Sequence, residues 1–212
     1  MAFIDTIPVH EADDATREMY ARQQSHYGYV PGYARVFSHR PEVMARWAAL
    51  LSSIKRPMDK RRFELVTFAA AHELKSTLCS LAHGNALTEF LAIDDVRAIA
   101  AGEEPASLSA AEAAMIRFAR LVARNATAVR PDDVEELKRH GFADAEIFDI
   151  AAAAAGRAFF TKIIESLGAD ADLAFGNIDA SLKQALMVGR AIEFVTPDRL
   201  PDAIPTPERA VV

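Results

Sequence analysis

Apolar side chains recur along this chain at intervals of three and four residues, which is the period of an amphipathic α-helix. No segment of strand length alternates strictly between apolar and polar side chains. Alanine is abundant and glycine is sparse, a balance that favours helices. The pattern therefore predicts an all-α fold, a helical bundle in a single domain.

Start and stop signals divide this pattern into separate helices. Asp59 and Ser76 carry side chains suited to an N-cap, and Ser109 with Glu112 has the spacing of a capping box. A turn is expected over Tyr29–Tyr33. The predicted helices span about Glu11–Tyr27, Pro41–Ile54, Asp59–Leu74, Ser76–Phe90, Asp94–Gly102, Ser109–Arg124, Pro131–Gly141, Ala143–Leu167 and Ala180–Ala191.

The chain has 212 residues, enough for one well-packed core. Residues 1–170 are predicted to form the helical domain, with a core motif at 59–93. Residues 171–212 are predicted to add a C-terminal helix and an extended tail, because four prolines follow Thr196. Proline cannot continue a helix, so this tail is expected to lie on a partner subunit or to stay disordered.

Charge and composition exclude several classes of function. The net charge of −6 provides no basic surface for phosphate backbones, so no nucleic-acid partner is expected. The start of the chain lacks the pattern of a secretory signal, and no window is long and apolar enough to span a membrane. We therefore expect a cytoplasmic protein. Cys79 is the single cysteine, which rules out an intrachain disulfide.

The segment that begins at Ser76 carries the residues best suited to chemistry. With Ser76 as N-cap, Cys79 lies in the first turn of its helix, where unpaired N–H groups and the helix dipole favour a thiolate. His83 follows four residues later, on the same helix face. An imidazole there can accept the thiol proton or stabilise the thiolate. This spacing makes Cys79 a candidate nucleophile.

Glu64 is the candidate acid that would orient His83. It lies in the apolar stretch from Phe63 to Phe68, where a carboxylate requires a partner. A buried, inert cysteine and a solvated glutamate are the structural alternatives. His72, eight residues after Glu64, could approach this site, but a surface position or a contact with the C-terminal end of the helix dipole is expected.

Neither a cofactor nor a metal ion is predicted. No glycine-rich phosphate loop or dinucleotide fingerprint is present. His83, Glu64 and His72 are the residues that come nearest to a ligand set, but a metal site needs three or four converging ligands.

The same residues resemble the core of the alkylhydroperoxidase AhpD-like (carboxymuconolactone decarboxylase) superfamily. In that family a glutamate is followed, after eleven residues, by Cys-x-x-Cys-x-x-x-His, which matches Glu64, Ser76, Cys79 and His83 here. The stretch Arg157-Ala158-Phe159-Phe160-Thr161-Lys162 is similar to a second family motif. Gly28-Tyr29-Val30-Pro31-Gly32 and Arg40-Pro41-Glu42-Val43 resemble the peroxidase-related subgroup. The likeness covers roughly residues 10 to 170.

This resemblance implies a thiol peroxidase in which a Glu–His–Cys relay activates the sulfur. The chain departs from the family at Ser76, which replaces the first cysteine and cannot resolve a sulfenic acid. A hydroperoxide substrate and an external thiol reductant are therefore the expected partners. The family also implies a homo-oligomer, a dimer, trimer or hexamer. The alanine-rich stretch from Ile150 to Ala158 is suited to close subunit packing.

Two other functions remain open at this point. In the first, Glu64 and His83 perform acid–base chemistry on a small organic substrate, as in the lyase and decarboxylase branch, and Cys79 only lines the pocket. In the second, the chain is a non-catalytic oligomeric member that lost turnover with Ser76. The roles proposed for Cys79, His83, Glu64 and Ser76 distinguish these functions.

Overall fold

A computed structural model describes residues 2–190, 192 and 194–196 of the chain. Helices dominate this part, which confirms the predicted all-α fold. The α-helices are Asp14–Tyr27 (α1), Gly32–Val36 (α2), Pro41–Lys55 (α3), Lys60–Glu73 (α4), Thr77–Leu87 (α5), Ile93–Ala101 (α6), Ala110–Asn125 (α7), Pro131–Arg139 (α8), Asp144–Ser166 (α9) and Ala180–Leu186 (α10). Two strands of two residues each, Ala171–Asp172 (β1) and Phe194–Val195 (β2), pair in parallel.

Helix α4 forms the centre of the bundle. It packs against α5, α7 and α9, and its residues from Phe63 to His72 are all buried. Such a run leaves no solvent-facing stripe, so this part of the helix is buried on every side. Glu64 and His72 are consequently in the core, where each polar atom needs a partner.

Helix caps appear where the sequence places them. The Asp59 carboxylate accepts from the Arg62 N–H at 2.9 Å and begins α4. Ser109 and Glu112 form the predicted capping box at the start of α7. Each cap satisfies a backbone donor that the first turn leaves unpaired.

The turn predicted over Tyr29–Tyr33 is wrong in its second half, because α2 begins at Gly32. The Gly32 N–H donates to the carboxylate of Asp172, 140 residues later, at 2.9 Å. A helix of five residues is too short to be stable alone. A contact from the far end of the chain supports it, and local sequence does not report such a contact.

The predicted end of the last helix is also wrong. Helix α10 stops at Leu186 instead of continuing toward Ala191, which lies outside the described residues. The chain turns away because the Gly189 N–H donates to the Thr77 hydroxyl at 3.1 Å. The tail predicted after Thr196 also lies outside the described residues.

Within the described part of the chain, every helix is too short or too polar to cross a membrane.

Candidate active site

Cys79 occupies the third position of α5, in the turn that Ser76 caps. The Cys79 N–H donates to the Ser76 hydroxyl oxygen at 3.3 Å. The cysteine is buried, with 3 % of its surface exposed. Cys79 therefore lies in the first turn of α5, near the positive end of the helix dipole, as the sequence predicts.

Ser76 is held by a partner other than the sulfur. Its hydroxyl donates to a carboxylate oxygen of Glu165 at 2.6 Å, and the other oxygen of Glu165 lies 3.3 Å from Nε of Arg190. No hydrogen bond joins Ser76 to the Cys79 sulfur within the described residues. Ser76 therefore caps α5 and donates a hydrogen bond to Glu165.

Helix α9 supplies the polar neighbours of the sulfur. Nη1 of Arg157 lies 3.9 Å from Sγ of Cys79, and the Thr161 hydroxyl lies 3.5 Å from it. Both groups are hydrogen-bond donors, so a thiolate at this position can accept a hydrogen bond from each of them. The Arg157 side chain is 5 % exposed and Thr161 is 1 % exposed.

Arg157 and Thr161 belong to the second family-like motif of the sequence, which predicts no role for either residue. The periodicity of α9 indicates that both side chains face the core. The buried positions of this helix repeat at helical spacing, and Arg157 and Thr161 fall among them. A charged residue on a core-facing stripe requires a polar partner, and that partner is Cys79.

Glu64 and His83 form a direct hydrogen bond between α4 and α5. Oε2 of Glu64 lies 2.7 Å from Nδ1 of His83. The two side chains are 8 % and 15 % exposed. The Thr67 hydroxyl is 3.3 Å from the same nitrogen. The adjoining helix thus supplies the acid that the sequence analysis sought for His83.

Glu64 and His83 have complementary protonation states, because the carboxylate is ionised and the imidazole is neutral. Burial raises the pKa of Glu64, but the hydrogen bond from His83 and the charges of His83, Lys55 and Arg157 together hold it below its ordinary value. Burial and the charge of Arg157 lower the pKa of His83, despite the opposing effect of Glu64. A carboxylate therefore accepts from Nδ1–H of a neutral imidazole, which leaves Nε2 as a proton acceptor.

The predicted contact between His83 and Cys79 is absent as a direct hydrogen bond among the described residues. His83 uses Nδ1 for Glu64 and Thr67, and the sulfur bonds to Arg157 and Thr161. The two residues are one turn apart on α5. A proton transfer between them needs a rotamer change or a bridging molecule at Nε2.

The surface position expected for His72 is wrong, although the residue does lie in the last turn of α4. This histidine is 8 % exposed, and its Nε2 is buried without a hydrogen-bond partner in the described structure. Burial, with the charges of Lys75 and Arg120, lowers its pKa to about 4. The described residues contain no group of three or more side chains placed to hold a metal ion, so His72 joins no ligand set.

An apolar groove of about 590 Å³ lies on a different surface, between α3 and α9. Trp47 lines it from a buried position, and Leu50 and Phe159 line it with about half of their surfaces exposed. None of its lining residues is Glu64, Cys79 or His83. The groove is therefore separate from the thiol site.

Comparison with solved structures gives the class of fold. No protein-family profile and no curated protein matches the chain. The chain has the fold of AhpD-type, peroxidase-related proteins, which confirms the predicted resemblance.

Three solved structures show this likeness. The AhpD core of an uncharacterized peroxidase-related protein from Ralstonia eutropha JMP134 has a TM-score of 0.69 and 20 % identity, over 89 % of this chain and 98 % of that one. An uncharacterized peroxidase-related protein from Silicibacter sp. TM1040 also has a TM-score of 0.69 and 20 % identity, over 83 % and 94 %. A cysteine-to-alanine variant of the debrominase Bmp8, in complex with 2,3,4-tribromopyrrole, has a TM-score of 0.66 and 14 % identity, over 88 % and 98 %.

Proposed function

We propose that this protein is a one-cysteine thiol peroxidase that reduces hydroperoxides at Cys79. The observation that carries the proposal is the environment of the sulfur, which has two hydrogen-bond donors, Arg157 and Thr161, at the start of a capped helix. A guanidinium and a helix N-terminus both favour the thiolate, which is the nucleophilic form of cysteine.

The reaction divides into an oxidation and a reduction. After a rotamer change of His83, or through a bridging molecule, the Cys79 thiol gives its proton to Nε2 of His83, and the thiolate attacks one peroxide oxygen. The S–O bond forms, the O–O bond breaks, and the departing alkoxide takes the proton, which yields a sulfenic acid and an alcohol. One external thiol then displaces water from the sulfenic acid, and a second thiol releases the Cys79 thiol and a disulfide.

Glu64 would orient His83 in this sequence of steps. Its carboxylate accepts the Nδ1 hydrogen at 2.7 Å, which keeps Nε2 free to accept a proton. Ser76 would keep Cys79 in the first turn. Because Ser76 lacks a thiol, the second sulfur must come from outside the chain. The fold of AhpD-type proteins agrees with this chemistry, and their low identity leaves the activity to be tested on the protein itself.

The decisive experiment traps the sulfenic acid after brief exposure to hydrogen peroxide and cumene hydroperoxide. Dimedone labelling and mass spectrometry are expected to place the adduct on Cys79. His83→Ala and Glu64→Gln are expected to form it about 100-fold more slowly, the usual contribution of a general base.

Matched variants make the result interpretable. His140→Ala removes an exposed histidine at the end of α8 and should leave the trapping rate unchanged. A wild-type protein that gives no adduct at Cys79 would contradict the peroxidase function.

A second function is favoured by one observation. The Glu64–His83 hydrogen bond is complete without the sulfur, so this pair could move protons on a small organic substrate as a lyase does. Turnover of such a substrate that survives Cys79→Ala and is abolished by His83→Ala would support the lyase and exclude the peroxidase as the main activity.

A further inference from the structure

Arg157 is a buried cation without an ion pair in the described structure. Its side chain is 5 % exposed, and Nε is buried without a hydrogen-bond partner. Nη1 of this guanidinium lies 3.9 Å from Sγ of Cys79. A guanidinium stays charged at any ordinary pH and has five N–H donors. This side chain therefore holds unused donors directly beside the nucleophile.

The surroundings explain why the charge stays available. The ring of Phe160 lies 5.4 Å from the guanidinium carbon and covers it with an aromatic surface, which offers no oxygen acceptor. The Glu64 carboxylate attracts the guanidinium electrostatically, but its hydrogen bond is to His83 and not to Arg157. Burying N–H donors without acceptors is costly, and an anion that forms during the reaction or arrives with the substrate would supply the missing acceptor.

Resting on the peroxidase function above, we propose that Arg157 is a catalytic residue that stabilises the oxygen leaving the hydroperoxide. One N–H group holds the thiolate, and the remaining groups donate to the departing oxygen as the O–O bond breaks. Negative charge then passes from sulfur to oxygen within reach of a single guanidinium. The proton held by His83 neutralises the alkoxide, and the alcohol departs.

This role differs from stabilisation of the thiolate alone. A residue that only favours the thiolate loses its importance once the pH is high enough to ionise every sulfur. A residue that also stabilises the departing oxygen stays necessary at that pH, because the developing charge on oxygen still requires donors. The ratio of two rate constants at high pH separates the two roles.

The experiment measures two reactions of Cys79 on the pH plateau of each variant. One is oxidation by cumene hydroperoxide, whose departing oxygen is a strong hydrogen-bond acceptor. The other is alkylation by iodoacetamide, whose departing iodide is a weak one. In Arg157→Met the ratio of oxidation to alkylation should fall about 100-fold, the usual loss for one donor of this kind. Arg157→Lys, which keeps the charge but not the fork, should show a smaller fall.

Two controls keep the test decisive. Arg120→Met removes another partly buried arginine, one that donates to the Ile99 carbonyl, and should leave the ratio unchanged. Circular dichroism reports folding, and Arg157→Lys alone decides the matter if Arg157→Met is unfolded. An unchanged ratio in the folded Arg157 variants would overturn this proposal while leaving the peroxidase intact. Absence of oxidation in the wild type would instead overturn the peroxidase.

Discussion

At the scale of single residues, the Glu64–His83 pair shows how burial and charge oppose each other. Burial alone would make the Glu64 carboxylate a weaker acid, but the imidazole and nearby cations reverse that effect and lower its pKa. The same burial lowers the pKa of His83. Because one partner stays ionised and the other stays neutral, the hydrogen bond between them keeps its polarity across the neutral pH range.

His72 gives the clearest prediction of acid sensitivity. Its pKa is about 4 in the folded protein, below the ordinary value of 6.5. Between these two pH values the unfolded chain binds a proton at His72 that the folded chain does not bind. The stability that comes from the neutral, buried His72 is therefore fully present above about pH 6.5 and is lost as the pH falls through 4. In His72→Leu we expect the free energy of unfolding to decrease by about 3 kcal/mol less than in the wild type between pH 6.5 and 4.

Urea unfolding at several pH values measures this effect. His140→Leu, which changes an exposed histidine, serves as the control and should keep the wild-type pH dependence. If His72→Leu and His140→Leu show the same slope of unfolding free energy against pH, the burial of a neutral His72 is not what limits acid stability.

At the scale of elements, the start of α5 depends on a segment from the other end of the chain. Residues 187–190 follow α10 and lie across the turn before Cys79. The Gly189 N–H donates to the Thr77 hydroxyl at 3.1 Å. A Cβ at position 189 would lie well inside contact distance of the Lys75 carbonyl oxygen. Only glycine permits this close approach, so the position of the segment depends on the lack of a side chain at residue 189.

Gly189→Ala should therefore displace the segment and uncover the first turn of α5. We expect Cys79 to react about tenfold faster with iodoacetamide, equivalent to ~1.4 kcal/mol of lost segment stability. Gly176→Ala is the matched control, because a Cβ there meets nothing within 4 Å. Equal alkylation rates in the two variants would show that residues 187–190 do not restrict access to the sulfur.

At the scale of the whole molecule, Asp172 joins the two ends of the described fold. Its carboxylate accepts from the N–H of Gly32, at the start of α2, while β1 pairs with β2. Burial raises the pKa of Asp172 to about 6, assisted by Asp170 and opposed by the Gly32 hydrogen bond and Arg35. The folded state thus favours the protonated acid. The contribution of the protonated Asp172 to stability is fully present below pH 3.8 and is lost as the pH rises through 6.

Asp172→Asn should stabilise the protein at alkaline pH. The amide oxygen can still accept from Gly32, and the disfavoured charge is gone. We expect the free energy of unfolding to rise by about 3 kcal/mol at pH 8 and to change little at pH 3.5. Urea unfolding at both values tests this, with the exposed Asp5→Asn as control. Equal changes at the two pH values would argue against a buried charge at this position.

The sequence alone determined the features that depend on neighbouring residues. Helical periodicity fixed the all-α fold, and the caps at Asp59, Ser76 and Ser109 appear where hydrogen bonding within one turn requires them. The same local rule placed Cys79 in the first turn of α5. The motif spacing also predicted the AhpD-type fold, because a family motif records which helices must meet.

Only the tertiary structure decided which side chains from different helices meet. The partners of the Cys79 sulfur come from α9, some 80 positions later in the chain, and the partner of Gly32 comes from β1. His72 was expected at the surface and lies in the core, since α4 is enclosed on every side. The periodicity of one helix shows which of its side chains face the core, but packing between distant segments decides which partner each of them meets.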